Sequence, residues 1–456
     1  MKNVMLKYTI MIAVFCQFIL TSCEKWVEVE SPGNLIASAD VFSSQKGYEA
    51  AMAGLYMQMR SHQSISGGGL SSYVSLGSDD LMTTSTTVAN ESFYQNTVLS
   101  SNSIVNNFWM NAYKAIYRTN LILEKLEQDE VLTVAVRDNF KGQALFVRSF
   151  YYFYLMQLFG DVPLSTETDY TKNSKIGRTP SNQILQQVTA DLKLATALIG
   201  NQLSKERDVP ELNAAYTLLA RVYLYQKYYD QVITTCEMIL NDPNFKLESN
   251  VNNTFLKTSK ETIWQLSSTT AAVSEGTLFI PSSANIKPVF TISTSLLDQF
   301  ESTDLRLKNW ISTQVIAGVA YPYPAKYKNY NSLPPNEYAV VFRLSEVYLM
   351  KAEALIAMNV YQQAQDDINQ IRKRAGLMDI QSLDPIVLRE ALIKEWRSEY
   401  FAEWGHRWLD LKRWGLIDQV LTDLKPNWET TAQWLPIPLS EIQTNIFLIQ
   451  NPGYDD

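Results

Sequence analysis

Two stretches of this chain repeat one helical pattern at one internal spacing. In the first, Tyr216, Leu219, Ala220 and Tyr223 recur at steps of three and four, and Val232, Cys236 and Ile239 resume the pattern sixteen residues after Tyr216. In the second, Tyr348, Ala352 and Leu355 lead to Ala364, Ile368 and Ile371, and Ala364 again lies sixteen residues after Tyr348. Such steps put side chains on one face of a helix. Sixteen residues leave room for one helix, a tight turn and the start of a second. The small Ala220 lets the paired helix approach closely, and the larger residues fill the space between turns.

This spacing is that of a tetratricopeptide repeat. Looser pairs are expected upstream, one joining Gly47–Arg60 to Asn106–Leu126 and another joining Ala135–Leu158 to Pro180–Leu198. The sequence therefore predicts an all-α fold of about four tetratricopeptide-like pairs. The pairs are not contiguous. Insertions at about 61–103 and 247–337 break the pattern with glycine, serine, threonine, asparagine, aromatics and short strand-like pieces such as Thr262–Leu266. Long irregular insertions in a compact protein are usually functional or disordered; their aromatic content favours function. No boundary between independent domains is visible.

The chain begins like an exported protein. Lys2 and Lys7 flank an apolar run from Tyr8 to Leu20, thirteen residues long. At about 1.5 Å per residue that run is too short to span a bilayer. Leu20-Thr21-Ser22-Cys23 then places small residues before a cysteine, as a bacterial lipobox does. Residues 1–22 are expected to be a lipoprotein signal peptide and 23–456 the mature domain, acylated at Cys23. A plain signal peptide that leaves Cys23 free is the alternative.

Composition narrows the chemistry. A formal net charge of −8 argues against nucleic acid, which needs a basic face. Of three cysteines, Cys16 leaves with the leader and Cys23 is the lipid site, so Cys236 stands alone as a small core residue without a disulfide framework. Two histidines, His62 and His406, make a zinc site improbable, and neither metal nor cofactor is expected. Glu395, Glu399 and Glu403 are four apart and share one helix face. A glycosidase needs two carboxylates facing each other across a cleft, so these read as ion-pair partners tying the helix to the repeats. Gly67-Gly68-Gly69 lacks the lysine of a phosphate loop and reads as a flexible turn. Asp79-Asp80 suits calcium or sugar hydroxyls, or alternatively a turn or helix cap.

Four segments carry a resemblance to a known family. They are the lipobox; Ser293-Thr294-Ser295-Leu296-Leu297-Asp298-Gln299-Phe300 with Asp304 and Arg306; the helix Arg343–Ala354; and the C-terminal block. That block holds Ile393–Glu399, Trp404-Gly405-His406-Arg407-Trp408, Leu435-Pro436-Ile437-Pro438 and Gln450-Asn451-Pro452-Gly453-Tyr454. In order and spacing they resemble the SusD/RagB family of outer-membrane nutrient-binding lipoproteins. Four helical pairs is also that family's count. The chain departs from the family at Trp396 and Trp404 and is somewhat short, which bears on the variable insertions.

The resemblance implies a non-enzymatic, surface-anchored receptor. It would capture an oligosaccharide and deliver it to a SusC-like TonB-dependent transporter in the outer membrane, as a hinged lid. Peptide is the alternative ligand, as in the RagB branch, and a surface glycan hydrolase is the alternative of another class. Early acidic residues, Glu24, Glu28 and Glu30, resemble a signal for the outer face of the outer membrane. The ligand would lie on the loop face, where aromatic rings stack on sugars and polar neighbours fix the hydroxyls. By that resemblance the candidate ligand residues are Tyr73, Asp80, Phe93, Tyr94, Phe279, Phe290, Tyr321 and Tyr323. The competing role for each aromatic is to pack its own loop. Tyr327 and Trp310 read as structural.

Overall fold

The computed structural model describes residues 41–267 and 272–454. The expected leader and acylation site Cys23 lie outside the described residues. The chain divides into two compact units, Met1–Tyr48 and Glu49–Asp456. The described part of the first is residues 41–44 and the start of helix α1 (Gln45–Met59), and everything below concerns the second.

The described residues are mostly helical. Seven further long helices supply three of the expected pairs: α2 (Ser103–Glu127), α3 (Val134–Phe159), α4 (Ser181–Leu198), α5 (Leu212–Tyr225), α6 (Tyr229–Leu240), α7 (Leu344–Ala357) and α8 (Tyr361–Arg374). α5 packs on α6 and α7 on α8, and α6 packs on α7, so the two clearest repeats stack directly although a long insertion separates them in sequence. Ala220, Val232, Cys236 and Ile239 are fully buried, as are Ala352, Ala364, Ile368 and Ile371. The repeats match in the turn as well. Lys227 and Asn359, each eleven residues into its repeat, both adopt positive φ, +60° and +63°. Upstream, α3 packs against both α2 and α4. The expected pairing of α1 with α2 is loose: Gln58 Nε2 donates to Asn111 O of α2 at 3.3 Å, while Tyr56 of α1 donates to Gln143 of α3 at 3.0 Å.

Buried ion pairs lock the helices in register. Arg148 of α3 grips Asp191 of α4 with two hydrogen bonds, at 2.8 and 2.9 Å, and donates a third to Asn120 of α2 at 3.0 Å. Arg221 of α5 donates to Glu346 of α7 at 2.7 Å. Inside a protein such pairs fix geometry more than they add stability. The second insertion leaves and re-enters the helical scaffold through paired strands, β2 (Thr262–Leu266) and β6 (Ala339–Arg343), which run antiparallel with every residue buried. β6 leads straight into α7.

The C-terminal block forms α9 (Pro385–Tyr400) and α10 (His406–Trp414). The α9 glutamates and Glu403 meet cations on several elements. Glu395 pairs with Arg306 and Arg372, Glu399 with Arg306, Arg343 and Arg374, and Glu403 with Lys326 and Arg343. Arg372 and Arg374 belong to the repeats, as the sequence leads one to expect; Arg306 and Lys326 belong to the second insertion. The network therefore also fastens the insertion to the scaffold.

Gly67-Gly68-Gly69 is not a flexible turn. It lies in a buried helical coil of π type, Ile65–Val74, kinked at Gly67 and Gly68. A Cβ on Gly68, at φ +88°, would sit 2.5 Å from Leu278 Cδ1, and one on Gly69 would sit 2.3 Å from the Phe108 ring. The glycines are there for close packing.

Candidate functional site

The two insertions form one face. β1 (Leu81–Thr83) from the first pairs antiparallel with β3 (Phe290–Ile292) from the second, in the register Leu81↔Ile292, Met82↔Thr291, Thr83↔Phe290. Thr84 extends the pairing, donating through its N–H to Val289 O at 3.0 Å and through its hydroxyl to Pro288 O at 2.7 Å.

Beneath this junction Tyr73, Phe93, Phe279 and Phe290 come together. Ring centroids are 5.4 Å apart for Tyr73–Phe93, 6.0 Å for Tyr73–Phe290 and 5.7 Å for Phe279–Phe290. These are edge-on and tilted contacts of a packed aromatic core. All four side chains are buried, so they support the face from below.

Asp80 is buried too, beside Asp79. Arg407 grips Asp79 at 2.7 and 2.9 Å. Arg397 lies between the two carboxylates, 2.8 Å from Asp79 and 3.0 Å from Asp80. Burial opposes the Asp79 charge, but the Arg407 hydrogen bonds and both guanidiniums overcome it and hold its pKa low. For Asp80 burial wins and its pKa is raised, with the Asp79 charge adding to the rise. The cations here are guanidiniums from α9 and α10, and the pair pins the end of the first insertion to the C-terminal block.

The remaining three candidates are half-buried. Tyr94 ends the short helix Val88–Gln95. Lys425 Nζ lies 4.1 Å from its ring centroid and donates to Leu76 O at 2.9 Å and Tyr94 O at 3.0 Å. Burial lowers the Lys425 pKa to about 8. Tyr321 and Tyr323 stand on a hairpin of β4 (Ile311–Ile316) and β5 (Val319–Pro324), opposite Gln314 and Ser312. Two residues apart on a strand, they project from the same side, about 7 Å apart. Gln314 Nε2 clips the hairpin down by donating to Ser283 O at 3.0 Å and Ile286 O at 3.1 Å. Lys287 Nζ sits 5.4 Å from the Tyr321 ring centroid. The face thus offers a two-tyrosine platform with an amine and an amide beside it, suited to a flat, hydroxyl-bearing ligand.

Arg397, Lys425, Gln314 and Lys287 were not among the candidates read from sequence. For Arg397 a signal existed, since it lies in the C-terminal block. For the others nothing in the sequence marks one lysine or glutamine above another. Trp310 and Tyr327 are buried structural residues, as read; the Tyr327 hydroxyl accepts from Val340 N–H at 3.0 Å.

A family model described as SusD-like, starch-binding associating with outer membrane, matches residues 25–224, and a SusD family model matches residues 319–454. The chain belongs to the SusD/RagB family. A SusD-like protein of Formosa agariphila is 25% identical across 98% of this chain and 99% of its own length. The structure of a SusD superfamily protein from Bacteroides vulgatus ATCC 8482 superposes with a TM-score of 0.80 at 22% identity, covering 91% of this chain and 100% of the other. A laminarin-binding SusD-like protein superposes with a TM-score of 0.76 at 23% identity, covering 90% of this chain and 100% of that one. At such identities the superpositions carry the fold. Residues 225–318, which include α6, β2, β3 and β4, fall outside both matches, whereas β1 and β5 fall inside them. Among the described residues no cluster of metal-ligating side chains occurs, and no helix is long and apolar enough to cross a membrane.

Proposed function

We infer that this protein binds an oligosaccharide on its loop face and delivers it to a SusC-like TonB-dependent transporter. Lipid-anchored through Cys23, it acts at the outer membrane without catalysis of its own. The observation that carries the reading is the pair Tyr321 and Tyr323, half-buried side by side on a surface hairpin that Gln314 clips in place. Stacking a sugar on each ring removes apolar area from water at about 25 cal/mol per Å². Lys287, whose Nζ lies 5.4 Å from the Tyr321 ring centroid, then contacts hydroxyls. The starch-binding description of the matched family and the laminarin-binding relative support a glucan-like ligand. Binding energy that differs between open and closed arrangements of lid and transporter favours the closed one.

Calorimetry against a panel of neutral and acidic glycans and mixed peptides tests this. Saturable heat with one glycan class, recovery of intact ligand, and loss of that heat in Tyr321→Ala support the reading. Heat with peptides alone moves the protein to the RagB-like role, and hydrolysed glycan refutes the receptor.

A further inference from the structure

Away from the loop face lies a surface that is apolar, basic and unpaired. The segment Asn445–Ile449 runs along residues 176–178: Asn445 Nδ2 donates to Ile176 O at 3.0 Å, and Arg178 Nη1 donates to Ile449 O at 3.0 Å. With the outer stripe of α2 it encloses a cleft of about 270 Å³ lined by Trp109, Met110, Tyr113, Tyr117, Ile176 and Leu448. Its rim is more exposed than a solvated surface needs. Ile446 and Ile449 expose 85% and 75% of their surface, and Phe447, Met110 and Tyr117 about half of theirs. Isolated exposed hydrophobics need no explanation, but a contiguous group marks an interaction surface.

The charge on the rim says what kind of surface it meets. Lys114 lies four residues after Met110 and three before Tyr117, and Arg118 lies four after Lys114, so they line the same stripe of α2. Lys175 adjoins Ile176. All three are exposed, and none has an ion-pair partner among the described residues, whereas nearby Lys172 pairs with Glu167 at 2.7 Å. The one carboxyl in the cleft, Glu441, is half-buried, and burial raises its pKa. Three unpaired cations around a protruding aliphatic ridge, in a chain of net charge −8, complement a surface that is both anionic and apolar.

We propose that this face docks on an anionic lipid surface. Ile446, Phe447 and Ile449 enter the acyl boundary, Tyr117 lies at headgroup level, and Lys114, Arg118 and Lys175 meet phosphates. Protruding aliphatics, an amphipathic ring and unpaired basic residues are the composition of an interfacial contact. Its use here is orientation: a lipid at the chain terminus tethers the protein, and a second contact on the folded body sets how that body lies. This inference is independent of the glycan reading.

The test uses the chain from Glu24 onward, which keeps every described residue and omits the apolar leader. It is sedimented with phosphatidylcholine vesicles, with and without phosphatidylglycerol, and followed by hydrogen exchange. Binding to the anionic vesicles alone, weakening with salt, with protection gained at residues 110–118 and 445–449, is expected. Each basic residue contributes about fivefold in partitioning, so K114Q/R118Q/K175Q together should lose about a hundredfold. I446S/I449S should lower binding to the same vesicles with unchanged thermal unfolding. No association with anionic vesicles, or association without protection at 445–449, overturns the proposal; a protein occupant of the cleft predicts that outcome.

Discussion

Replacing Glu275 with glutamine should stabilise the protein above about pH 7 and leave it little changed in acid. Glu275 lies in the short helix Ser274–Phe279, which carries Phe279 into the aromatic cluster under the loop face. Its carboxyl is buried. One oxygen is 3.5 Å from Ser71 Oγ, and the other has no hydrogen-bond partner. Burial, reinforced by the Glu403 charge, raises its pKa from 4.5 to about 7. In the unfolded chain the group ionises near its ordinary value, so between the two values unfolding releases a proton and stability falls as pH rises. The loss is complete above the folded pKa. A rise of about 2.5 units at about 1.36 kcal/mol each amounts to roughly 3 kcal/mol. Glutamine cannot ionise. Any fixed cost of seating its amide applies at every pH, so the readout is how the gap between variant and wild type changes. Urea unfolding of both at about pH 5 and about pH 8 should show the variant gaining on the order of 3 kcal/mol between them. A gap that stays flat with pH would refute the neutral buried carboxyl.

The aromatic candidates separate by assay. Phe93→Ala removes a buried ring and should cost about 3–5 kcal/mol of unfolding free energy, whereas Tyr321→Ala or Tyr323→Ala should weaken glycan binding about tenfold or more with little change in stability. Arg397→Met leaves Asp80 buried without its cation and should cost about 3–5 kcal/mol in denaturant, with early proteolysis at the β1 end of the first insertion. Ala317 holds φ +51° next to Gly318 at +80° in the hairpin turn, a conformation that asparagine tolerates better. Ala317→Asn should therefore leave binding intact and slow hydrogen exchange along β4 and β5, with a gain of at most about 1 kcal/mol.

The scaffold was legible because its constraint is periodic. A small residue at Ala220 and again at Ala352, with apolar partners sixteen residues on, is enough to pair helices, and the positive φ at Lys227 and Asn359 follows from the same turn. The glutamates were legible as ion-pair partners for a similar reason, although α9 ends at Tyr400 so that Glu403 joins Glu395 and Glu399 from the turn beyond it, and sequence did not say that Arg306 and Lys326 would reach them from a distant insertion. The glycine run misled. A triple glycine reads as freedom, yet here it lets Leu278 and Phe108 pack where any Cβ would clash.

The loop face was legible as a region and not as a surface. Sequence put aromatics in both insertions, and both do meet, but whether a ring faces water or core depends on β1 pairing with β3, a contact across some two hundred residues that no local pattern encodes. That pairing turns Phe290 inward onto Tyr73 and Phe279. Tyr321 and Tyr323 stay half-buried on a two-stranded hairpin whose β5 lies beside β3 and which Gln314 ties to Ser283 and Ile286. The division has a physical logic. A stacking platform holds its geometry only if the loops beneath it cannot collapse, and the rings that sequence could not tell apart from ligand contacts are the ones that prevent this. A recognition surface can then be rebuilt at the hairpin without touching the Asp79–Arg397–Asp80 anchor or the aromatic core.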